Sequence, residues 1–93
     1  MEKQVRAHAV ISGRVQGVFF RVETQRAAEG FGVFGWVRKK RDGTVEAVFE
    51  GDLQAVDAVL QWCQEGPRMG RVDKVEGNWQ DHTGEFKRFD ITF

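Results

Sequence analysis

Cysteine is nearly absent. Cys63 is the single thiol in 93 residues, so no intrachain disulfide can form. That usage fits a reducing, cytoplasmic compartment. Net charge is absent as well. Fourteen Lys and Arg balance 14 Asp and Glu, so no overall field draws the chain to nucleic acid or to an anionic membrane. No apolar run approaches the ~20 residues of a membrane span, and Met1 to Val10 lacks the apolar segment of a secretory signal. Histidine is scarce, and neither His8 nor His82 has a second His or Cys at ligand spacing, so no metal site is expected. Repeats, linkers and low-complexity segments are also missing. What remains is a soluble cytoplasmic domain, expected to act as a monomer without metal, cofactor, nucleic acid or membrane.

Hydrophobic residues make up 41% of the chain, enough for one compact core and not two, so residues 1–93 are expected to form a single domain. Val5, Ala7, Ala9 and Ile11 alternate with Arg6, His8, Val10 and Ser12, the period of a half-buried strand. Residues 21–31 read as a helix, with Thr24, Ala27, Ala28 and Phe31 on one face. Gly32 suits the left-handed position just past its end. Glu23 falls near its start, where a carboxylate offsets the helix dipole.

Residues 33–41 read as a second strand, Asp42-Gly43 as a hairpin turn, and Thr44 to Glu50 as a third strand with Val45, Ala47 and Phe49 on one face. Asp52 suits the N-cap of a second helix, with Leu53, Val56, Val59, Leu60 and Cys63 on its apolar stripe and Gly66-Pro67 after its end. Cys63 is thereby a small core hydrophobe. Residues 71–80 give a fourth strand, in which the spacing of Val72, Val75 and Trp79 suggests a bulge. Phe86 to Phe93 gives a last one. The order β-α-β-β-α-β, with an extra edge near the C-terminus, points to an α+β fold of the ferredoxin-like kind: an antiparallel sheet with two helices on one face.

Between the first strand and the first helix lies Gly13-Arg14-Val15-Gln16-Gly17-Val18-Phe19-Phe20-Arg21. A glycine-bounded turn entering a helix can gather several backbone N–H groups on one concave side, and the helix dipole favours negative charge there. Arg21 could add a planar fork of donors gripping two oxygens of one anion. A solvated turn of purely geometric purpose is the plainer reading of the same residues. Gly17 is expected to need either a positive backbone dihedral or close approach of the anion.

The stretch resembles the phosphate-binding loop of the acylphosphatase family, Gly-x-Val-Gln-Gly-Val-x-Phe-Arg. A second family motif, Gly-aromatic-Val-basic-Asn followed by a Gly-x-Val turn and a closing glycine, is matched by Gly35-Trp36-Val37-Arg38-Lys39, Gly43-Thr44-Val45 and Gly51. The resemblance covers nearly the whole chain and implies the ferredoxin-like fold. It also implies hydrolysis of carboxyl-phosphate anhydrides to a carboxylate and inorganic phosphate, with no metal and no covalent intermediate. Carried over, the backbone of Val15, Gln16, Gly17, Val18, Phe19 and Phe20 would bind the phosphate oxygens, and Arg21 would clamp them. The partner is then a small acyl phosphate or inorganic phosphate. Phe19 would narrow the mouth or give the acyl group an apolar contact.

One residue departs. Lys39 stands where the family carries the asparagine that orients the attacking water. An amide offers donor and acceptor; an ammonium offers three donors and no acceptor. Two cations facing one phosphate favour binding, but equal binding of ground and transition states does not raise turnover. An acylphosphatase with Arg21 and Lys39 as its catalytic side chains, its turnover weakened at Lys39, is the expectation. A non-catalytic anion-binding relative is the alternative. An RNA-binding module of the same strand order is more remote, because its basic-Gly-aromatic signature is missing from Thr44 to Glu50.

Overall fold

The computed structural model describes residues 3–68 and 70–93. Strand β1 (Gln4–Arg14) leads to helix α1 (Val18–Gly30). Strands β2 (Phe34–Lys39) and β3 (Val45–Asp52) follow, then α2 (Leu53–Glu65), β4 (Arg71–Gln80) and the short β5 (Phe89–Ile91). The strands form one sheet in the order β4-β1-β3-β2-β5. The pairs β1–β3, β1–β4 and β2–β3 are antiparallel, whereas β5 joins the edge parallel to β2. The sheet is therefore mixed, and among the described residues the extra C-terminal edge is its parallel element. The arrangement is ferredoxin-like.

Alternation on β1 buries Val5, Ala7, Ala9 and Ile11 and leaves Arg6, His8, Val10 and Ser12 half-exposed. Ala9 pairs with Ala47 at the sheet centre, and both are fully buried. Small side chains there let the two helices pack closely onto the sheet. Helix α2 contributes Val56, Val59 and Cys63 to that core. Burial pushes the Cys63 thiol up to about 12, which keeps it protonated and inert. Gly35 pairs with Phe49 on one side and Phe89 on the other. A Cβ at Gly35 would come 1.9 Å from the Val48 carbonyl oxygen. With no side chain between them, the Phe49 and Phe89 rings stack at 5.5 Å.

Several local expectations shift. Helix α1 begins at Val18, three residues before the position the pattern suggests, because extended Gly17 takes the N-cap and burial of Phe20 outweighs the modest helix propensity of Val-Phe-Phe. Its buried face is Phe20, Arg21, Thr24 and Ala28, while Phe31 is an exposed C-cap. Gly32, at φ 74°, takes the left-handed position. Glu23 lies beyond the first turn and pairs with Arg26. Asp52 sits at the N-cap of α2, but its carboxylate accepts from the Gln4 amide rather than capping the helix. The bulge is present: the β1–β4 register shifts at Ser12/Gly13, leaving Asp73 without a partner on β1.

Glu50 is the largest departure. Its position on β3 suggests an outward carboxylate, yet it is buried. The segment between β4 and β5 folds back over the open face of the sheet and meets it. The Thr83 and Gly84 N–H groups and the Thr83 hydroxyl donate to Glu50, and Arg6 pairs with it at 3.3 Å. Burial raises the Glu50 carboxyl, but these bonds from Thr83 and Gly84, with His82 nearby, outweigh it and hold the group below its ordinary range.

Candidate anion-binding site

The turn between β1 and α1 is built on two buried residues. Val15 and Phe20 are both fully buried and anchor its ends, while Gln16, Gly17, Val18 and Phe19 between them are exposed. Phe20 rests against Trp62 of α2, with ring centroids 6.2 Å apart. The turn is thus held from below and open above. Gly17 is extended, at φ −66° and ψ 147°, and no side chain caps the helix. Its φ is one that any residue adopts, so a positive dihedral is not what requires glycine here. What a side chain would meet is Phe19: a Cβ at Gly17 would sit 3.1 Å from the Phe19 ring.

An α-helix leaves its first N–H groups without intrahelical acceptors. In α1 the Phe20 N–H bonds the Gly17 carbonyl at 3.1 Å, and the N–H groups of Val18 and Phe19 precede it on the exposed turn. No acidic residue occupies this first turn. The helix start therefore presents uncompensated positive potential.

Arg21 lies directly behind. It is only 5% exposed, and among the described residues its buried Nε and Nη1 have no hydrogen-bond partner. Among the described residues no carboxylate pairs with it. Its Cζ lies 6.0 Å from the Phe93 ring centroid, a weak cation–π contact. Helix α1 fixes its place: the Thr24 hydroxyl donates to the Phe20 carbonyl at 2.8 Å, and the Gln25 amide donates to the Phe89 carbonyl at 3.0 Å. A buried guanidinium with two orphaned donors is costly in isolation, which marks the place where an anion would satisfy it.

The β2–β3 hairpin closes the other side. The Gln16 amide donates to the Gly43 carbonyl, tying the turn to the hairpin tip. Asp42 accepts from the Thr44 N–H at 3.0 Å and its hydroxyl at 2.7 Å, which rigidifies that tip and holds the Asp42 carboxyl below its usual range. Lys39, the last residue of β2, is exposed and shares the helix-bearing face with Gly35 and Val37. Arg38 faces the opposite way, bonded to Glu46 at 2.7 Å and lying over Trp36. The strand ends at Lys39, so Lys40 belongs to the turn. Lys39, Arg41 and Phe93 are among the walls of a cavity of about 440 Å³. Phe93 thus borders both Arg21 and the Lys39 cavity.

Of the residues singled out in the sequence, Val15 to Arg21 form one continuous feature, and Lys39 lies on the same side of the sheet across Phe93. Sequence reasoning missed the part played by Phe93, and no local signal marks it. His8 is taken up by Glu46 on the open face at 2.7 Å. Among the described residues no group of three or more His, Cys, Asp or Glu could hold a metal ion.

With that geometry in place, comparison with known proteins is decisive. A family model described as acylphosphatase matches residues 7–91. The chain belongs to the acylphosphatase family. An acylphosphatase of Pelotomaculum thermopropionicum is 52% identical over 90 residues, covering 97% of this chain and 98% of the relative. One of Syntrophobacter fumaroxidans is 55% identical over 93 residues, covering 100% and 95%. The crystal structure of acylphosphatase from Bacillus subtilis superposes with a TM-score of 0.91 at 28% identity, covering 96% of this chain and 99% of that one. None of these likenesses favours the RNA-binding module or the non-catalytic relative. Within the acylphosphatase fold, no helix of the described residues is long and apolar enough to cross a membrane.

Proposed function

We propose that this chain hydrolyses acyl phosphates as a single acylphosphatase domain over residues 1–93, with Arg21 as the clamp on the phosphoryl group. The observation that carries the proposal is the buried Arg21 guanidinium, with Nε and Nη1 unpaired beside an uncapped helix start. The N–H groups of the turn from Val15 to Phe19 share the phosphoryl oxygens with it, the Phe20 N–H being held by the Gly17 carbonyl. Water attacks phosphorus in line with the leaving carboxylate. The bond between phosphorus and the acyl oxygen breaks, its electron pair departs on the carboxylate, and the water oxygen and its protons remain with phosphate. A carboxylate leaves without a strong general acid, so the protein's work is positioning and electrostatic stabilisation.

Lys39 enters this scheme as a second cation. Its exposed ammonium draws the substrate in but has no lone pair with which to orient water. Turnover is accordingly slower than an asparagine would allow, while binding of inorganic phosphate is retained. The balanced charge and single buried thiol support a cytoplasmic monomer acting on a small-molecule substrate, without nucleic-acid or membrane partners.

The test is phosphate release from acetyl phosphate and benzoyl phosphate, run beside a titration with inorganic phosphate, for wild type and Arg21→Ala. Release and binding in wild type, both lost in a folded Arg21→Ala, are expected. Phosphate binding in the variant within threefold of wild type would remove the clamp.

A further inference from the structure

Phe19 does more than border the anion turn. Its ring lies against Gly17 on one side. On the other it forms a wall of a second cavity, about 320 Å³, completed by Glu23, Trp62, Pro67 and Arg68. Phe19 and Glu23 stand one helical turn apart on α1, so the cavity runs from the anion turn along the groove toward the end of α2. Its body is apolar: Phe19 and Trp62 offer two aromatic walls and Pro67 a third surface. Glu23 and Arg68 carry the two charges, of opposite sign. Phe19 is 39% exposed, and none of the phosphoryl contacts above uses its ring.

We propose that this cavity receives the acyl portion of the substrate and selects flat aromatic or extended apolar acyl groups over acetyl. The inference rests on acyl phosphates being the substrates. In an acyl phosphate the acyl carbon is joined to phosphorus through one bridging oxygen. A phosphoryl group held at the N–H groups of Val18 and Phe19 therefore puts the acyl group at the Phe19 ring. A flat acyl group can then lie between Phe19 and Trp62, in the offset or tilted contacts that aromatic rings favour. An acetyl group is too small to reach Trp62 and gains little. The Trp62 ring is held by its contact with Phe20, so this wall is preformed.

The experiment compares kcat/KM for benzoyl and acetyl phosphate in wild type, Phe19→Ala, Phe19→Leu and Trp62→Leu, each checked for folding by thermal melting. The readout is the benzoyl-to-acetyl ratio, from which any general loss cancels. The ratio should favour benzoyl in wild type, and fall by at least about fivefold in Phe19→Ala and Trp62→Leu and by less in Phe19→Leu. Calorimetric titration with benzoylphosphonate and acetylphosphonate, which have no P–O–C bridge to cleave, reads the same preference as binding. Hydrolysis of both substrates with a ratio unmoved by Phe19→Ala overturns the acyl subsite and leaves the hydrolase standing. Hydrolysis of neither, with a phosphonate preference that Phe19→Ala abolishes, overturns the hydrolase and upholds the apolar subsite. Equal binding of the two phosphonates by wild type overturns the subsite.

Discussion

The Arg21 guanidinium carbon lies 6.0 Å from the Phe93 ring centroid, and the same ring walls the cavity beside Lys39. One aromatic side chain thus borders both cations that we propose face the phosphoryl group. Arg21 is buried and Lys39 is exposed. Burial makes the Arg21 interaction with an anion strong and little screened, whereas the Lys39 contribution weakens with salt. The two therefore differ in consequence when removed.

Arg21→Met should remove anion binding and stabilise the protein in phosphate-free buffer. An unpaired buried guanidinium is a liability that a well-packed apolar side chain lacks, and the gain expected is about 1–3 kcal/mol by urea unfolding. Phosphate at about 100 times its Kd should stabilise wild type by about 2.7 kcal/mol and leave Arg21→Met unchanged. A variant less stable than wild type without phosphate would mean that Arg21 is satisfied within the fold.

Lys39→Asn should raise kcat on a small acyl phosphate by at least ~10-fold, which is ~1.4 kcal/mol of barrier. KM should rise or stay flat, because one ground-state cation is lost. Steady-state comparison at neutral pH and fixed ionic strength decides it. A variant no faster than wild type would show that another group positions the water.

Gly17→Ala should alter stability by no more than about 1 kcal/mol, since its φ of −66° suits any residue at an N-cap. Anion affinity should nonetheless fall at least about tenfold, because the new Cβ meets the Phe19 ring at 3.1 Å and crowds the N–H groups beside it. Phosphate titration of the variant reads this directly. Unchanged affinity would show that the anion does not approach the Gly17 backbone.

Most of the scaffold was legible because it is locally encoded. Alternation at Val5 to Ile11, the Asp42-Gly43 turn and the stripe from Val56 to Cys63 each report a neighbour within a few residues. The turn between β1 and α1 was legible as one continuous motif ending at Arg21. Three features were not. The start of α1 depends on Phe20 packing against Trp62, 42 residues away as the two numbers read. Phe93 lies beyond β5 and is exposed, so no burial pattern marks its approach to Arg21. Glu50 looks outward in any strand pattern and is buried where Thr83 and Gly84 return over it and Arg6 pairs with it.

Glu50 supplies a pH prediction. Its folded carboxyl titrates below the ordinary 4.5, so the ionised form stabilises the fold. That contribution is fully present above pH 4.5 and is lost as pH falls through the folded value. Glu50→Gln should cost about 1.5–3 kcal/mol at pH 7, the worth of hydrogen bonds to a charged acceptor. The gap between variant and wild type should close as the pH is lowered below 4.5 in urea titrations. A gap independent of pH would assign the effect to packing.

The central claim is that the chain cleaves acyl phosphates by attack of water at the phosphorus atom held by Arg21. It is tested most directly by hydrolysing benzoyl phosphate in ¹⁸O-labelled water with wild-type enzyme and following the label by mass spectrometry. Label in the phosphate and none in the benzoate, at a rate above buffer that Arg21→Ala abolishes, is the predicted result. Label in the benzoate, or a rate no faster than buffer alone, would contradict it.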